Sequence, residues 1–593
     1  MSESYPGVTA PLSLATPSPE DVRLTASLKE TLERFGMYDS EQRTVERENA
    51  LKRLQEITEQ FVLNVCERRK VPKETMKHAG GAVFTYGSYK LGVNSADADI
   101  DTLCVVPNVI FRSDFFQEML TLLKKTPEIT HITVSMHSQA VKCSSTHSIN
   151  YTQAVPDSYV PVIKFKFNDI PIDFVCARLN VSKVTPGIDL KDSSILQGLD
   201  DRCIRSINGA RVADDIIRLV PNVNTFRIAL RCIKLWAMKK AVYSNVMGFL
   251  GGVAWAILVA RICQLYPNAC ASVIISKFFR ILTQWNWPSP VILKPIEEGP
   301  VLSSSLRPWS AKLNPVDRTH RMPVITPSYP SMCATHNVTA STQRIILGEF
   351  NIAAQTVDKI MANQLPWSAL FQSHTFFHNY KYYLQVVVSG DTHERFLSWS
   401  GLVEARLRQL VLKLEAVPVI ALVHPFVDGF KYEYKCYTAQ DIYDATHGQI
   451  VSHNKGSKKK PVHVYTKVFY IGLYIRMRAD HPRTLDLTRP IYDFTQLLKL
   501  WPEYQRNHMG IVVENVKRSD LPQEVYPKKD AVMSKRALSK SPSPVLQPTT
   551  DVNPMSPSIN KKVKTSTPLS TTSPIAVPTS NEQATPIAMA STV

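Results

Sequence analysis

Residues 84–107 read FTYGSYKLGVNSADADIDTLCVVP. Ala82 to Tyr86 is an apolar run that fits a strand, and Gly87-Ser88 ends it. Glycine lets backbone approach a ligand closely, and a helix starting at Ser88 aims free N–H groups at an anion. Ser88 adds a hydroxyl donor. A short loop then leads to Asp97-Ala98-Asp99-Ile100-Asp101 and a strand from Thr102 to Val106. Residues i and i+2 of a strand share a face, so Asp99 and Asp101 point the same way. Adjacent carboxylates repel unless a cation sits between them. Hard oxygen ligands of this kind suit Mg²⁺ or Mn²⁺, which also grip phosphates. A bare DxD is more often a solvated pair at a strand edge; the Gly-Ser turn just upstream is what points to phosphate chemistry.

The order Gly-Ser, then DxD, resembles the nucleotidyltransferase superfamily that includes DNA polymerase beta. Such a site needs a third carboxylate on a neighbouring strand. Residues 160–178, VPVIKFKFNDIPIDFVCAR, supply it. Val162 to Phe167 alternates, Asn168-Asp169 is turn chemistry, and Ile170 to Val175 returns, so the spacing predicts a hairpin. A two-residue turn pairs Phe167 with Ile170, Phe165 with Ile172, and Lys164 with Asp173. Asp173 is then the third metal ligand or a base, with Lys164 beside an incoming RNA strand. The same pair also reads as an ordinary cross-strand ion pair, worth about a few tenths of a kcal/mol if exposed.

The chain has 593 residues, which fits about three domains, and 44% of them are hydrophobic. There are 69 Lys+Arg against 51 Asp+Glu, a net charge of +18, which favours polyanionic partners and nucleic acid above all. Ten cysteines are scattered without CxxC spacing, so neither a zinc site nor a disulfide framework is indicated, and a reducing compartment fits. The N-terminal residues lack a signal-peptide pattern. The longest apolar run, around Gly248 to Ala260, is too short for a membrane span.

Residues 1–20 read as an extended segment. Asp39-Ser40 can cap a helix whose Leu51, Leu54, Ile57, Phe61 and Val65 recur at helical spacing. Arg227, Arg231 and Lys234 make a basic stripe on one helical face, a pattern that is as often plain solvated surface. Gly248, Gly251 and Gly252 open a second, apolar helix. Beyond Trp367, strands are expected at Tyr380–Val388, Val419–Val423 and Val468–Met477. Helices are expected at Glu404–Glu415 and at Phe494–Leu500, the latter capped by Asp493. That order suggests a ferredoxin-type sandwich. Its loop Lys458-Lys459-Lys460 is a candidate RNA-backbone contact. From about Pro527 the Ser/Thr/Pro-rich composition reads as a disordered tail, with short basic clusters suited to nuclear import.

Further blocks carry a closer resemblance: YPGVTAPLS (5–13), NGARV (208–212), IKLWA to YPNA, NWPSPVILKPIE and HRMPVITPSYPSMCATHNVT (320–339). Together with residues 84–107 and 160–179 they resemble the eukaryotic nuclear poly(A) polymerases, over about residues 5–525. The resemblance implies an α+β multidomain enzyme. A polymerase-beta-like nucleotidyltransferase domain spans residues 70–179, and a helical middle domain is built from 21–69 and 180–362. A C-terminal ferredoxin/RRM-like RNA-binding domain covers 363–525, and a disordered tail 526–593. It implies template-independent transfer of AMP from ATP to an RNA 3′-hydroxyl, with Mg²⁺ or Mn²⁺ as a pair of ions. The expected setting is the nucleus, as a monomer within the cleavage and polyadenylation machinery and with no membrane contact. Matched position by position, Asp99, Asp101 and Asp173 are the metal-binding triad, Gly87 and Ser88 form the triphosphate turn, and Tyr86 is a further ATP-binding position. Lys234 and Tyr243 meet the triphosphate, Asn208 contacts the ribose, Asn245 and Val253 line the adenine site, and Gly252 is a further ATP-binding position.

One departure stands out. Residues 127–154, PEITHITVSMHSQAVKCSSTHSINYTQA, are about twenty residues longer than the family pattern leads one to expect. Thr130 to Thr152 is therefore expected to be an exposed excursion, dispensable for chemistry. Two other functions compete: a related nucleotidyltransferase with another base preference, and an RNA-binding scaffold with a dead site. The middle and C-terminal blocks argue against the first, and the complete aspartate triad against the second.

Overall fold

The computed structural model describes residues 7–135, 161–300, 302, 306–447, 449, 461–476 and 485–526. The expected tail and the Lys458-Lys459-Lys460 loop lie outside the described residues.

The N-terminal part is built on a sheet ordered β1-β2-β5-β4-β3. Its strands are β1 (Ala82–Thr85), β2 (Ile100–Val106), β3 (Ile129–Ser135), β4 (Val162–Phe167) and β5 (Ile170–Arg178). β2 and β5 run parallel, and every other neighbour pair is antiparallel. The β4–β5 hairpin has the register read from its sequence, with Phe167 opposite Ile170, Phe165 opposite Ile172 and Lys164 opposite Asp173. Asn168 and Asp169 both take positive φ, 44° and 63°, as a two-residue primed turn requires.

Both faces of this sheet are buried, which is why β2 is almost continuously apolar. One face packs Ile100, Cys104, Ile172 and Phe174 against α2 (Glu41–Arg68), the partners on the helix being Leu54, Phe61 and Val65. Ser40 caps α2 by accepting from the Arg43 N–H. Two further helices, α3 (Lys73–Ala79) and α4 (Gly87–Leu91), flank β1, and α5 (Arg112–Asp114) passes through a π turn into α6 (Leu120–Lys125). The other face packs Leu103, Val105, Val175 and Ala177 against Cys203, Ile204 and Ile207 of α7 (Asp201–Leu219). Asp101 and Asp173 have the parity of that second face.

Residues 21–69, expected together in the helical part, divide between two cores. α1 (Pro19–Arg34) contributes Leu28 and Leu32 to the helical core, whereas α2 belongs to the sheet. The helical core is made by α8 (Val223–Lys239), α9 (Gly252–Leu265), α10 (Ala271–Thr283) and α11 (Ala340–Met361). Trp236 lies at its centre, edge-on to Trp255 and Phe279 and stacked on Phe350.

After the short α12 (Phe376–Asn379) comes β6 (Tyr382–Gly390), α13 (His393–Glu415), β7 (Ile420–Pro425), β8 (Phe430–Cys436), α14 (Ala439–Thr446), β9 (Val462–Ile475), α15 (Thr488–Lys499) and β10 (Met509–Lys517). The sheet order β10-β6-β9-β7 is that of a ferredoxin-like sandwich, with β8 added along the first half of β9. One expectation needs correction here. Asp493 does not cap α15, which starts at Thr488; its carboxylate pairs with Lys413 of α13 at 3.4 Å. β8, α14 and β10 were not legible as elements. The apolar face of α13 continues the helical core without a break, so Trp399, Val403 and Leu407 share one cluster with Trp236 and Phe350. Among the described residues, no helix is long and apolar enough to cross a membrane.

The segment expected to loop out from Thr130 begins inside the sheet. Thr133, Val134 and Ser135 pair with Lys164, Ile163 and Val162, after a bulge at residues 131–132 where His131 takes φ 52°. Deleting residues 131–152 removes that edge pairing. The expected result is a fall of several degrees in melting temperature and a loss of primer extension, both measured against a deletion that starts after Ser135 and keeps β3 whole.

Candidate active site

Parallel pairing of β2 with β5 sets Asp101 directly beside Asp173. Asp99 lies just before β2, and carboxylate oxygens of Asp99, Asp101 and Asp173 all fall within 4.8 Å of one another. Burial pushes the Asp101 carboxyl up to about 7, and repulsion from Asp99 and Asp173 adds to it, against the pull of Lys164 and Lys234. Asp173 is also raised by burial, offset by its hydrogen bond from Lys164. Three carboxylates crowded into a partly buried site fit a divalent cation, because Lys164 and Lys234 leave the Asp101 carboxyl raised.

The Gly87 turn is held against this triad. β1 pairs antiparallel with β2, and the Tyr86 N–H donates to the Asp101 carbonyl at 3.0 Å. Gly87 takes φ +61°, and a Cβ there would sit 2.0 Å from Asp101 Oδ2. Only glycine satisfies both conditions. Tyr86 packs over Gly209 of α7, beside Asn208, where a Cβ would be 3.0 Å from its ring. Burial raises the Tyr86 hydroxyl well above the usual phenol range, and the three aspartates raise it further. Asn208 is itself buried and faces Arg211 Nη1 at 3.5 Å.

The basic stripe of α8 is not solvated surface. Arg227 Nε donates to the Leu91 carbonyl of α4 at 3.0 Å, and Arg231 Nε donates to the Met37 carbonyl at 3.0 Å. Lys234 is pulled down by burial, an effect opposed by Asp99 and Asp101. Tyr243 feels the same two carboxylates, and burial carries its hydroxyl up to about 12. A Cβ on Gly252 would lie 2.6 Å from the Tyr243 hydroxyl, so the small residue at the start of α9 lets Tyr243 lie across it. Next to it, the Asn245 Oδ1 is buried without a hydrogen-bond partner among the described residues, and Val253 is 39% exposed. A buried acceptor beside an exposed apolar side chain suits the edge and face of a base.

The structure thus gathers Tyr86, Gly87, Lys234 and Tyr243 around the triad, with Asn208 next to the Gly209 on which Tyr86 packs, and Asn245, Gly252 and Val253 adjoining Tyr243. Lys164 stands across from Asp173 with about half of its side chain exposed. Asn337 was not singled out from the sequence: its Nδ2 donates to the Asn245 carbonyl at 3.1 Å, and its own Oδ1 is a second buried acceptor without a partner among the described residues. It lies in the 320–339 block, but nothing in its spacing marked it.

A sheet with this triad, clamped by a helical unit, defines a nucleotidyltransferase. The family profiles are more specific. The poly(A) polymerase nucleotidyltransferase domain matches residues 7–141 and 135–220, two pieces that meet in the long connection. The poly(A) polymerase central domain matches residues 225–373, and the poly(A) polymerase predicted RNA binding domain residues 375–535. Poly(A) polymerase pla1 of Schizosaccharomyces pombe is 43% identical over 550 residues, 88% of this chain and 93% of its own length. Poly(A) polymerases PAPalpha and PAPa of Candida albicans are 41% and 40% identical, over 90% and 89% of this chain and 95% and 94% of theirs. The chain belongs to the poly(A) polymerase family.

Gly87→Ala tests the turn. The added methyl must displace Asp101, and a shift of about 1 Å at a reacting centre costs on the order of a hundredfold. The expected outcome is a fall in kcat of that size on an oligo(A) primer, with far-ultraviolet circular dichroism unchanged.

Proposed function

We propose that this chain extends RNA 3′ ends with AMP from ATP, without a template, and that Asp99, Asp101 and Asp173 hold the two divalent cations, Mg²⁺ or Mn²⁺, that the reaction uses. The carrying observation is the convergence of Asp99, just before β2, with Asp101 of β2, Asp173 of β5 and a largely buried lysine from α8. When bound, such ions lower the pKa of an attacking hydroxyl and neutralise a leaving pyrophosphate. The 3′-hydroxyl gives its proton up to solvent as its oxygen bonds to the α-phosphorus of ATP, and the bond from that phosphorus to the α–β bridging oxygen breaks, releasing pyrophosphate.

The chain's own residues supply position and charge, which carry most of the rate in phosphoryl and nucleotidyl transfer. Gly87 and Ser88 bring backbone and hydroxyl to the triphosphate. Lys234 meets the charge that builds on the departing pyrophosphate, and Tyr243 donates to the same phosphates. Tyr86 and Asn208 sit on the ribose side, while Asn245, Gly252 and Val253 form the adenine wall. Lys164 faces the RNA 3′ end. Because α8 and the sheet belong to different cores, the site is completed by closing one unit on the other.

The RNA is held through its backbone, by the C-terminal domain and the Lys458-Lys459-Lys460 loop. The nucleus, and recruitment through cleavage and polyadenylation factors, complete the proposal; both rest on the family resemblance and the basic tail.

Asp99→Asn, Asp101→Asn and Asp173→Asn are each expected to reduce AMP incorporation to background while the fold survives, since the charge serves binding and not packing. Extension of oligo(A) with each NTP in turn should favour ATP strongly; a preference for UTP or CTP would move the chain to another branch of nucleotidyltransferases. Replacing Lys458, Lys459 and Lys460 with Ala should weaken all RNA sequences alike. It should also flatten the slope of log K against log salt by up to about 2.

A further inference from the structure

Asp101 and Asp173 are fixed by strand ladders, but Asp99 is not. It ends the irregular loop that leaves α4 at Gly92 and enters β2 at Ile100. Something other than sheet pairing must fix that loop. Arg47, on the α2 face turned toward it, is fully buried. Its Nη2 donates to the Ala96 carbonyl at 3.1 Å and to the Ala98 carbonyl at 2.8 Å. Its Nε lies 2.8 Å from Asp39 Oδ2, and the same oxygen accepts from Asn94 Nδ2 at 2.8 Å. One buried ion pair therefore ties residues 94, 96 and 98, each alternate position up to the one before Asp99.

Packing alone does not call for such a pair. Burying a guanidinium and a carboxylate costs several kcal/mol, and apolar side chains of like volume serve a core as well or better. What they cannot do is bind two backbone carbonyls at once. The same connection also reaches α8: the Met37 carbonyl accepts from Arg231, whose guanidinium lies 4.2 Å over the Tyr38 ring. Thus the segment that fixes the Asp99 loop is itself held by the helix that carries Lys234.

We propose that Arg47, with Asp39, is a positioning residue for the cation site: it sets the loop so that Asp99 completes the triad. It touches neither substrate nor cation and acts only through backbone. The inference rests on the reading of Asp99 as a cation ligand, and the experiment separates the two.

Mn²⁺ binding to the full chain is measured without nucleotide, by the loss of the free-ion electron paramagnetic resonance signal. The proteins are wild type, Arg47→Lys, Arg47→Met, Asp39→Asn and Asp173→Asn. Partners that orient metal ligands are worth about ten- to a hundredfold in metal affinity. Arg47→Met is expected to weaken binding about tenfold. Arg47→Lys keeps the charge but offers a point donor in place of a fork, and should fall between. The Mn²⁺ midpoint for oligo(A) extension should rise by the same factor, and excess Mn²⁺ should restore much of the rate. Wild-type Mn²⁺ affinity in folded Arg47→Lys and Asp39→Asn overturns the proposal, whatever happens to kcat or melting temperature, because a merely structural arginine would leave the cation unaffected. If Arg47→Met does not fold, those two variants decide the matter. Wild-type affinity in Asp173→Asn would instead overturn the reading of the triad.

Discussion

Two carboxylates forced side by side by parallel strand pairing are the constraint on which this molecule is organised. In the β2–β5 ladder Asp101 cannot move away from Asp173 without breaking the register that buries Ile100, Ile172 and Phe174. The electrostatic cost is met locally and from a distance. Lys164, one strand over, donates to Asp173, and Lys234 reaches in from a separate core. Space is equally constrained. Gly87 is where it is because any side chain would occupy the position of an Asp101 oxygen. The site is therefore strained in charge and tight in volume until a cation arrives.

Much of this was legible in the sequence, for reasons that differ from element to element. The β4–β5 hairpin could be read to the residue because a two-residue turn leaves no freedom of register once Asn168-Asp169 is placed. The C-terminal sandwich was visible in outline through β6, β7 and β9, which are nearly continuous apolar runs, and through the periodic apolar face of α13. β10 escaped because its burial is partial along most of its length, whereas the alternation of β8, with Lys431, Glu433 and Lys435 exposed between aromatics, was a strand signal left unread. The cap at Asp493 was misplaced: Pro490, which looks like a breaker, stands in the first turn of α15, where proline is tolerated.

What stayed hidden was pairing between distant segments. Arg47 stands in a stretch of α2 dense with Glu and Arg, and nothing in that pattern separates the one buried arginine from its solvated neighbours. Arg227 and Arg231 posed the opposite difficulty. Their stripe was visible, but spacing cannot say whether a basic face meets water or, as here, the carbonyls of Leu91 and Met37. β3 was underestimated for a related reason. An edge strand needs only one buried face, and its alternation of Thr, His and Thr with Ile and Val is diluted by the bulge.

The unbroken apolar cluster from Trp236 to Trp399 has a consequence for how the protein comes apart. Cooperative units follow continuity of packing more than continuity of sequence. The helical unit and the C-terminal sandwich share that cluster, and Glu415 of α13 further accepts from Thr339 and from the Ser341 N–H at the start of α11, both at 2.7 Å. Loss of order in one strips packing from the other. The sheet that carries the aspartates has cores of its own and meets the helical unit through α7 and the bond from Arg227 to the Leu91 carbonyl. The three aspartates and Lys234 thus sit on opposite sides of the boundary between two cores.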